Sequence, residues 1–199
     1  MIFGAKALVV AGITSLISYG PWVPTNPDHY NRTKYVYEDR MEDDLANQCI
    51  ITDVDIRILI DHYTAIHPDS ELYGMELAFI DASNETGMDP LFFFALCGIE
   101  SGWATSDIHK ELNNPYSIGM YGDGVHNGFS LGNSFYDGIV NGAVYIYENY
   151  YLKGQTTLYS MNHVEYHSYC AGKVEWEEMI EREMKYLRKL LTEHYAEME

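Results

Sequence analysis

The sequence predicts a mainly α-helical domain with a short β lobe, preceded by an apolar and then extended N-terminal segment. Three observations predict it. Apolar residues recur at helical spacing behind N-cap signatures, the stretch Leu91 to Ile99 is apolar on every side, and the glycine-rich run Ser117 to Phe129 has the pattern of a small hairpin. No repeat or low-complexity tract interrupts this pattern.

Met1 to Ile17 resembles a signal peptide, with Lys6 ahead of the apolar stretch Ala7 to Ile17. That stretch is shorter than the roughly 20 residues that cross a bilayer, so no transmembrane span is expected. Ser18 and Gly20 offer a cleavage site, but Pro21 follows directly and disfavours it. The reading favoured here is an apolar element buried against a partner chain, such as another protein of a virion or secretion assembly. Pro21, Pro24 and Pro27 then make Gly20 to Arg32 an extended connector. The expected organisation is an N-terminal segment and connector over 1–32, a helical lead-in over 33–68, and the main domain over 69–199.

Thr52 and Asp55 form a capping box, and Ile56, Leu59, Ile60 and Tyr63 follow at helical spacing until Pro68. Asp69 or Ser70 can cap a second helix that carries Leu72, Met75, Leu77, Phe79 and Ile80 and ends at Gly87. Asp89 and Pro90 open a third, the helix that is apolar all round and therefore central. Ser134 and Asp137 open a fourth toward Gly154, and a short helix is expected over Thr157 to Met161. The last, Val174 to about Tyr195, carries Trp176, Met179, Ile180, Leu187, Leu190 and Leu191 on one face.

With 199 residues, 47% hydrophobic and 21% charged, the chain can bury a core without staples. Thirty acidic residues against twelve basic ones give a net charge of -18, which repels a phosphate backbone and argues against nucleic-acid binding. The three cysteines Cys49, Cys97 and Cys170 show no CxxC spacing, so neither a disulfide framework nor a cysteine metal site is indicated. His163 and His167 stand four apart, but no Glu or Cys at metal spacing accompanies them. No metal and no cofactor is expected. The acidic stretches Glu38 to Asp44 and Glu175 to Glu183 read as solvated faces.

Glu100 carries the chemistry. It ends an apolar run and precedes Ser101-Gly102-Trp103, which places a carboxyl group where a buried helix gives way to a turn. Burial disfavours the ionised form and keeps the proton on. A retained proton is what glycosidic cleavage needs, because the departing oxygen leaves poorly until it is protonated. From position alone, a glutamate that caps or hydrogen-bonds the turn is the readier reading.

The stretch Pro90 to Gly119, with Glu100-Ser101-Gly102-Trp103, Thr105-Ser106, Asn113-Asn114-Pro115-Tyr116 and Gly119, resembles the core of the bacterial N-acetylglucosaminidases of glycoside hydrolase family 73. That family includes autolysins, flagellar peptidoglycan hydrolases and phage lysins. A second block, Gly142 to Ile146, Gly154 to Met161 and His167-Ser168-Tyr169, is similar to its later helices and tyrosine-bearing motif. The resemblance covers roughly Glu71 to Leu191. It implies a lysozyme-like α+β fold that hydrolyses the β-1,4 bond after N-acetylglucosamine in peptidoglycan. The partner would be a glycan strand, met in the bacterial wall outside the cytoplasm or from a phage virion.

Carried onto this chain, the resemblance implies Glu100 as general acid and Tyr169 as the tyrosine that orients the reacting sugar or water. Asn113 and Asn114 would shape the floor of the site by hydrogen bonding and, with Ser101, would bind the substrate. Trp103 would pack beneath the catalytic turn. Tyr116 and Tyr121 could stack on sugar rings or pack in the core. The chain departs from the family in having Ala104 where glycine is frequent, and Cys170-Ala171-Gly172 where Ala-Thr-Asp usually follows the tyrosine. An inverting hydrolase also needs a second carboxylate about 6.5–9.5 Å away. Asp123 on the turn Gly122-Asp123-Gly124 is the acid available in the lobe, as catalyst or as turn former.

Two other functions fit the sequence. A lytic transglycosylase also begins its site with Glu-Ser, although the Gly-Leu-Met-Gln type segment that usually follows is absent here. A non-catalytic wall-binding or structural component of a virion or secretion assembly would use the apolar terminus for docking.

Overall fold

The computed structural model of the chain describes residues 44–46, 50–120, 128–165 and 167–198. The expected N-terminal segment and connector, 1–32, lie outside the described residues, as do Tyr121 and Asp123.

Among the described residues the domain is helical: α1 (Asp53–Ile66), α2 (Glu76–Thr86), α3 (Pro90–Ser101), α4 (Asp107–Glu111), α5 (Phe135–Asn149), a 3₁₀ turn (Tyr151–Lys153), α6 (Leu158–His163) and α7 (Val174–Ala196). The local start signals act as expected. The Thr52 hydroxyl accepts from the Asp55 amide while the Asp55 carboxylate accepts from the Thr52 amide, a closed capping box on α1. Asp89 accepts from the Leu91 amide with Pro90 in the first turn of α3, and Ser134 accepts from the Asp137 amide at the start of α5. A second capping box, Thr157 with Ser160, opens α6.

Two elements differ from expectation. The second helix begins at Glu76, behind an uncapped Met75, instead of at Asp69 or Ser70. Those two residues serve the neighbouring turn: the Ser70 hydroxyl donates to the Trp103 carbonyl across 2.5 Å, and the Asp69 carbonyl accepts from Lys110 Nζ. On α7 the buried stripe is Trp176, Ile180, Met184, Leu187 and Leu191, while Met179 faces out. The face is the expected one, with Met179 at its exposed edge and Leu190 partly buried beside it.

α3 is the axis of the core, with every residue from Pro90 to Gly98 buried. α2 packs against α1, α3 and α5, and α7 packs against α3, α1 and α6. Arg188 on α7 pairs with Asp89 at the head of α3, so the two helices are joined by charge as well as by apolar contact.

The expected β lobe falls on Ser117 to Phe129, and residues 121–127 are not described. The two described ends of that lobe meet: the Phe129 amide donates to the Ile118 carbonyl across 3.1 Å. The described residues hold no strand beyond an isolated antiparallel bridge between Ala46 and Met88. No helix among them is long and apolar enough to cross a membrane.

Candidate active site

Glu100 is the penultimate residue of α3, and the chain turns sharply behind it. Gly102, Trp103 and Ala104 all have positive φ, at 61°, 60° and 57°. For residues with a Cβ this left-handed backbone costs about 1–2 kcal/mol each, so other contacts must hold it. The Ser101 hydroxyl donates to the Cys97 carbonyl across 2.5 Å and accepts from the Ala104 amide at 2.9 Å. From the preceding turn, Ser70 bonds the Trp103 carbonyl, and the Glu71 amide bonds the Ala104 carbonyl at 3.2 Å. The Trp103 ring lies flat on Tyr63, with centroids 3.4 Å apart and planes 12° from parallel, and covers Gly98, where a Cβ would stand 2.5 Å from the indole. Trp103 thus packs beneath the turn.

The Glu100 carboxyl is partly buried and is met by an element far away in sequence. The indole N–H of Trp176, in the first turn of α7, donates to Glu100 Oε1 across 2.8 Å. Burial pushes the Glu100 pKa above the ordinary carboxyl range, and the polar groups of Trp176 and then Ser117 pull it back only in part. The result is a carboxyl group that keeps its proton to higher pH than a solvated glutamate.

Tyr169 stands beside it. Its ring stacks on Trp176, with centroids 5.0 Å apart and planes 28° from parallel, and its hydroxyl donates to the Tyr116 carbonyl across 2.5 Å. Burial first, and then the nearby charge of Glu100, push the Tyr169 phenol well up, so it stays neutral. Tyr150 continues the aromatic row, 5.4 Å from Tyr169 and 4.9 Å from the His167 ring. The structure therefore brings together Glu100, Tyr169 and Trp176.

The other expected site residues have different places. Ser101 is fully buried, and its hydroxyl is occupied by the turn behind Glu100, so it cannot touch a substrate. Tyr116 is also fully buried, packed against Phe93 and against Gly142. Core packing decides between its two expected readings, and no ring face is open to a sugar. Asn114 is fully buried too. Its amide donates to the carbonyls of Ile118 and Phe129 at 2.8 and 3.0 Å and accepts from the Ile118 amide at 3.0 Å, which closes the base of the lobe. Asn113, half-buried at φ 49°, donates to the Gly132 carbonyl across 3.0 Å. Both asparagines thus spend their side chains on backbone groups of the chain that follows them.

Two contributors were not foreseen from sequence. Trp176 was placed only as a packing residue of an amphipathic face. His109, buried on α4, bridges two serines: Nδ1 lies 2.8 Å from Ser106 Oγ and Nε2 lies 2.8 Å from Ser117 Oγ. No spacing motif marks either residue.

Among the described residues, no group of three or more His, Cys, Asp or Glu side chains is arranged to hold a metal ion. His163 instead sets its Nε2 2.6 Å from the buried carboxylate of Glu177, which also accepts from Asn162.

No protein-family profile matches the chain, and no curated protein does. Solved structures do. A catalytic mutant of S. aureus autolysin E, crystallised with the disaccharide NAG-NAM, superposes with a TM-score of 0.65 at 16% identity, over 77% of this chain and 74% of that one. The same autolysin with the muropeptide NAM-L-Ala-D-iGlu gives a TM-score of 0.62 at 16% identity, over 76% of this chain and 73% of that one. At this identity the likeness speaks for the fold: the described chain is a lysozyme-like, mainly helical domain built on the same plan as S. aureus autolysin E.

Proposed function

We propose that this protein is a peptidoglycan hydrolase that cleaves the β-1,4 bond after N-acetylglucosamine, with Glu100 as the general acid. The observation that carries the reading is the Glu100 carboxyl itself, half-buried at the end of the central helix, raised in pKa by burial and aimed by Trp176. Such a group delivers a proton to a departing glycosidic oxygen, a contribution of about 10²- to 10⁴-fold in rate. The motif blocks around Glu100 and Tyr169 support the substrate class. So does the fold, since autolysin E has been crystallised with a NAG-NAM disaccharide and with a muropeptide.

In this reading Tyr169 orients the sugar or water at the wall of the cleft, its own proton committed to the Tyr116 carbonyl. Asp123 is the candidate second carboxylate that activates water on the opposite face of the ring. Tyr121 is the remaining candidate for stacking on a sugar. The site of action is the bacterial wall, outside the cytoplasm. Docking of residues 1–32 on other virion proteins would deliver the domain there as part of a phage particle.

Digestion of purified peptidoglycan followed by mass spectrometry tests the reaction. Fragments with a reducing N-acetylglucosamine end are expected. Anhydro-muramic ends would identify a lytic transglycosylase instead, and an unchanged wall would identify a binding or structural component.

A further inference from the structure

Asn162, on α6, is fully buried, and every donor and acceptor place of its side-chain amide is filled. The oxygen accepts from the backbone amides of Cys170 and Gly172 at 3.1 and 3.0 Å. The nitrogen donates to the Lys173 carbonyl at 2.9 Å and to Glu177 Oε1 at 2.7 Å. One side chain therefore joins a short helix, the loop behind it and the start of the last helix. The acceptor bonds bracket Ala171, at φ 53°, and end on Gly172, at φ 71°. An alanine in left-handed backbone stays there only when outside contacts hold it.

The donor bonds reach the active site. α7 starts at Lys173 without a side-chain cap of its own. The Lys173 carbonyl accepts both from Asn162 and from the Trp176 backbone amide, the latter at 3.1 Å. Glu177 follows Trp176 in a stretch whose charge pattern reads as a solvated face, yet it is 1% exposed. A buried carboxylate needs partners, and it has Asn162 together with His163 Nε2 at 2.6 Å. Trp176 is thus gripped on both sides along the chain, and its indole N–H is the donor to Glu100. The same loop is held further upstream, where the Tyr169 amide donates to the Met161 carbonyl across 2.8 Å.

We propose that Asn162 is a positioning residue of the reaction: through the Lys173 carbonyl and the Glu177 carboxylate it sets the first turn of α7, so that the Trp176 indole N–H meets the Glu100 carboxyl. The proposal rests on Glu100 being the acid. Asn162 and Glu177 both lie in the core, so they act on turnover through the groups they hold. An amide is the side chain this place requires. A carboxylate could still accept from Cys170 and Gly172, but its second oxygen would face a carbonyl and another carboxylate.

Asn162→Asp makes that exchange, and adding Glu177→Gln returns a donor to the new oxygen. On solubilised peptidoglycan, Asn162→Asp should lower kcat about tenfold or more while KM changes little. The added Glu177→Gln should recover most of the loss. In a Trp176→Phe background, Asn162→Asp should cost no more than about threefold, because the bond it acts through is already gone. The Trp176 indole resonance in nitrogen-15 NMR spectra should move upfield in Asn162→Asp and return in the rescued protein. Melting curves set an assay temperature at which every variant is folded, and Asn162→Ala, which leaves space in place of repulsion, takes the role of Asn162→Asp where the latter does not fold. Hydrogen exchange of the wild-type chain needs no variant: the Trp176 indole N–H should be protected alongside the Cys170 and Gly172 amides, and an unprotected indole overturns the proposal. Equal losses of kcat in both backgrounds, or an unmoved indole resonance in the folded variant, overturn the role of Asn162 and, beside an inactive Glu100→Gln, leave the acid in place. An active Glu100→Gln overturns both.

Discussion

The indole N–H of Trp176 donates to Glu100 Oε1 across 2.8 Å, tying the first turn of the last helix to the end of the central one. This bond aims the carboxyl and opposes the rise in its pKa caused by burial. Replacing Trp176 with phenylalanine keeps most of the ring packing against Tyr169 and removes the donor. The Glu100 pKa should rise further and the basic limb of kcat/KM should shift to higher pH. Stability above that limb should fall by about 1.5–3 kcal/mol, the range for a hydrogen bond to a charged group. Kinetics across pH together with denaturant melts check both.

Glu100→Gln separates activity from stability. The amide still accepts from Trp176 but holds no transferable proton, so wall clearing in a zymogram should disappear. A carboxyl whose folded pKa lies above its unfolded value of 4.5 binds more protons when folded, so its ionisation lowers stability as pH rises through that window. The glutamine variant should therefore melt above wild type at neutral pH, and the difference should vanish below about pH 4.5. A variant less stable than wild type at pH 7 would contradict the buried-carboxyl account.

Asn114 is the rivet of the lobe base. Truncation to alanine strands the buried amide of Ile118, while the Ile118 carbonyl keeps the Phe129 amide and the Phe129 carbonyl lies on an exposed residue. At about 1–3 kcal/mol for a stranded buried group, a loss of about 2 kcal/mol is expected. Asn114→Asp should not rescue it, because a carboxylate would face two carbonyl oxygens. Urea unfolding of both variants measures the cost.

Gly138 lies on α5, where alanine is worth about 1 kcal/mol more helix propensity than glycine. Space decides the other way. A Cβ at Gly138 would stand 2.0 Å from the Asn113 carbonyl oxygen, a backbone atom that cannot swing aside. Overpacking of this kind costs about 1–3 kcal/mol, so Gly138→Ala should be destabilising on balance despite the propensity. Its melting temperature should fall, and activity should fall with it if Asn113 shapes the site as proposed from the family resemblance. A melting temperature at or above wild type would show that the corner yields.

Local chemistry made several elements legible in the sequence. Thr52 with Asp55, Asp89 with Pro90, and Ser134 with Asp137 start their helices where expected, because a cap needs only a side chain and an amide two or three residues away. Gly87 ends α2 at φ 70° for the same local reason. Ser70 caps only the turn ahead of α2: its oxygen accepts from the Leu72 amide at 3.2 Å while its hydroxyl donates to the Trp103 carbonyl, a partner 33 residues distant, and Gly74 at φ 80° separates that turn from the helix.

By itself, the sequence determined the central apolar helix, the carboxyl at its end and the turn that follows, since these depend on residue order along one segment. Tertiary structure alone decided what surrounds that carboxyl. Trp176 reaches Glu100 across 76 residues of chain, and His109 reaches Ser106 and Ser117. It also decided that Ser101 and Tyr116 turn into the core. A motif names residue types in order, while the direction of a side chain follows from which helices pack together, and that packing is a property of the whole folded chain.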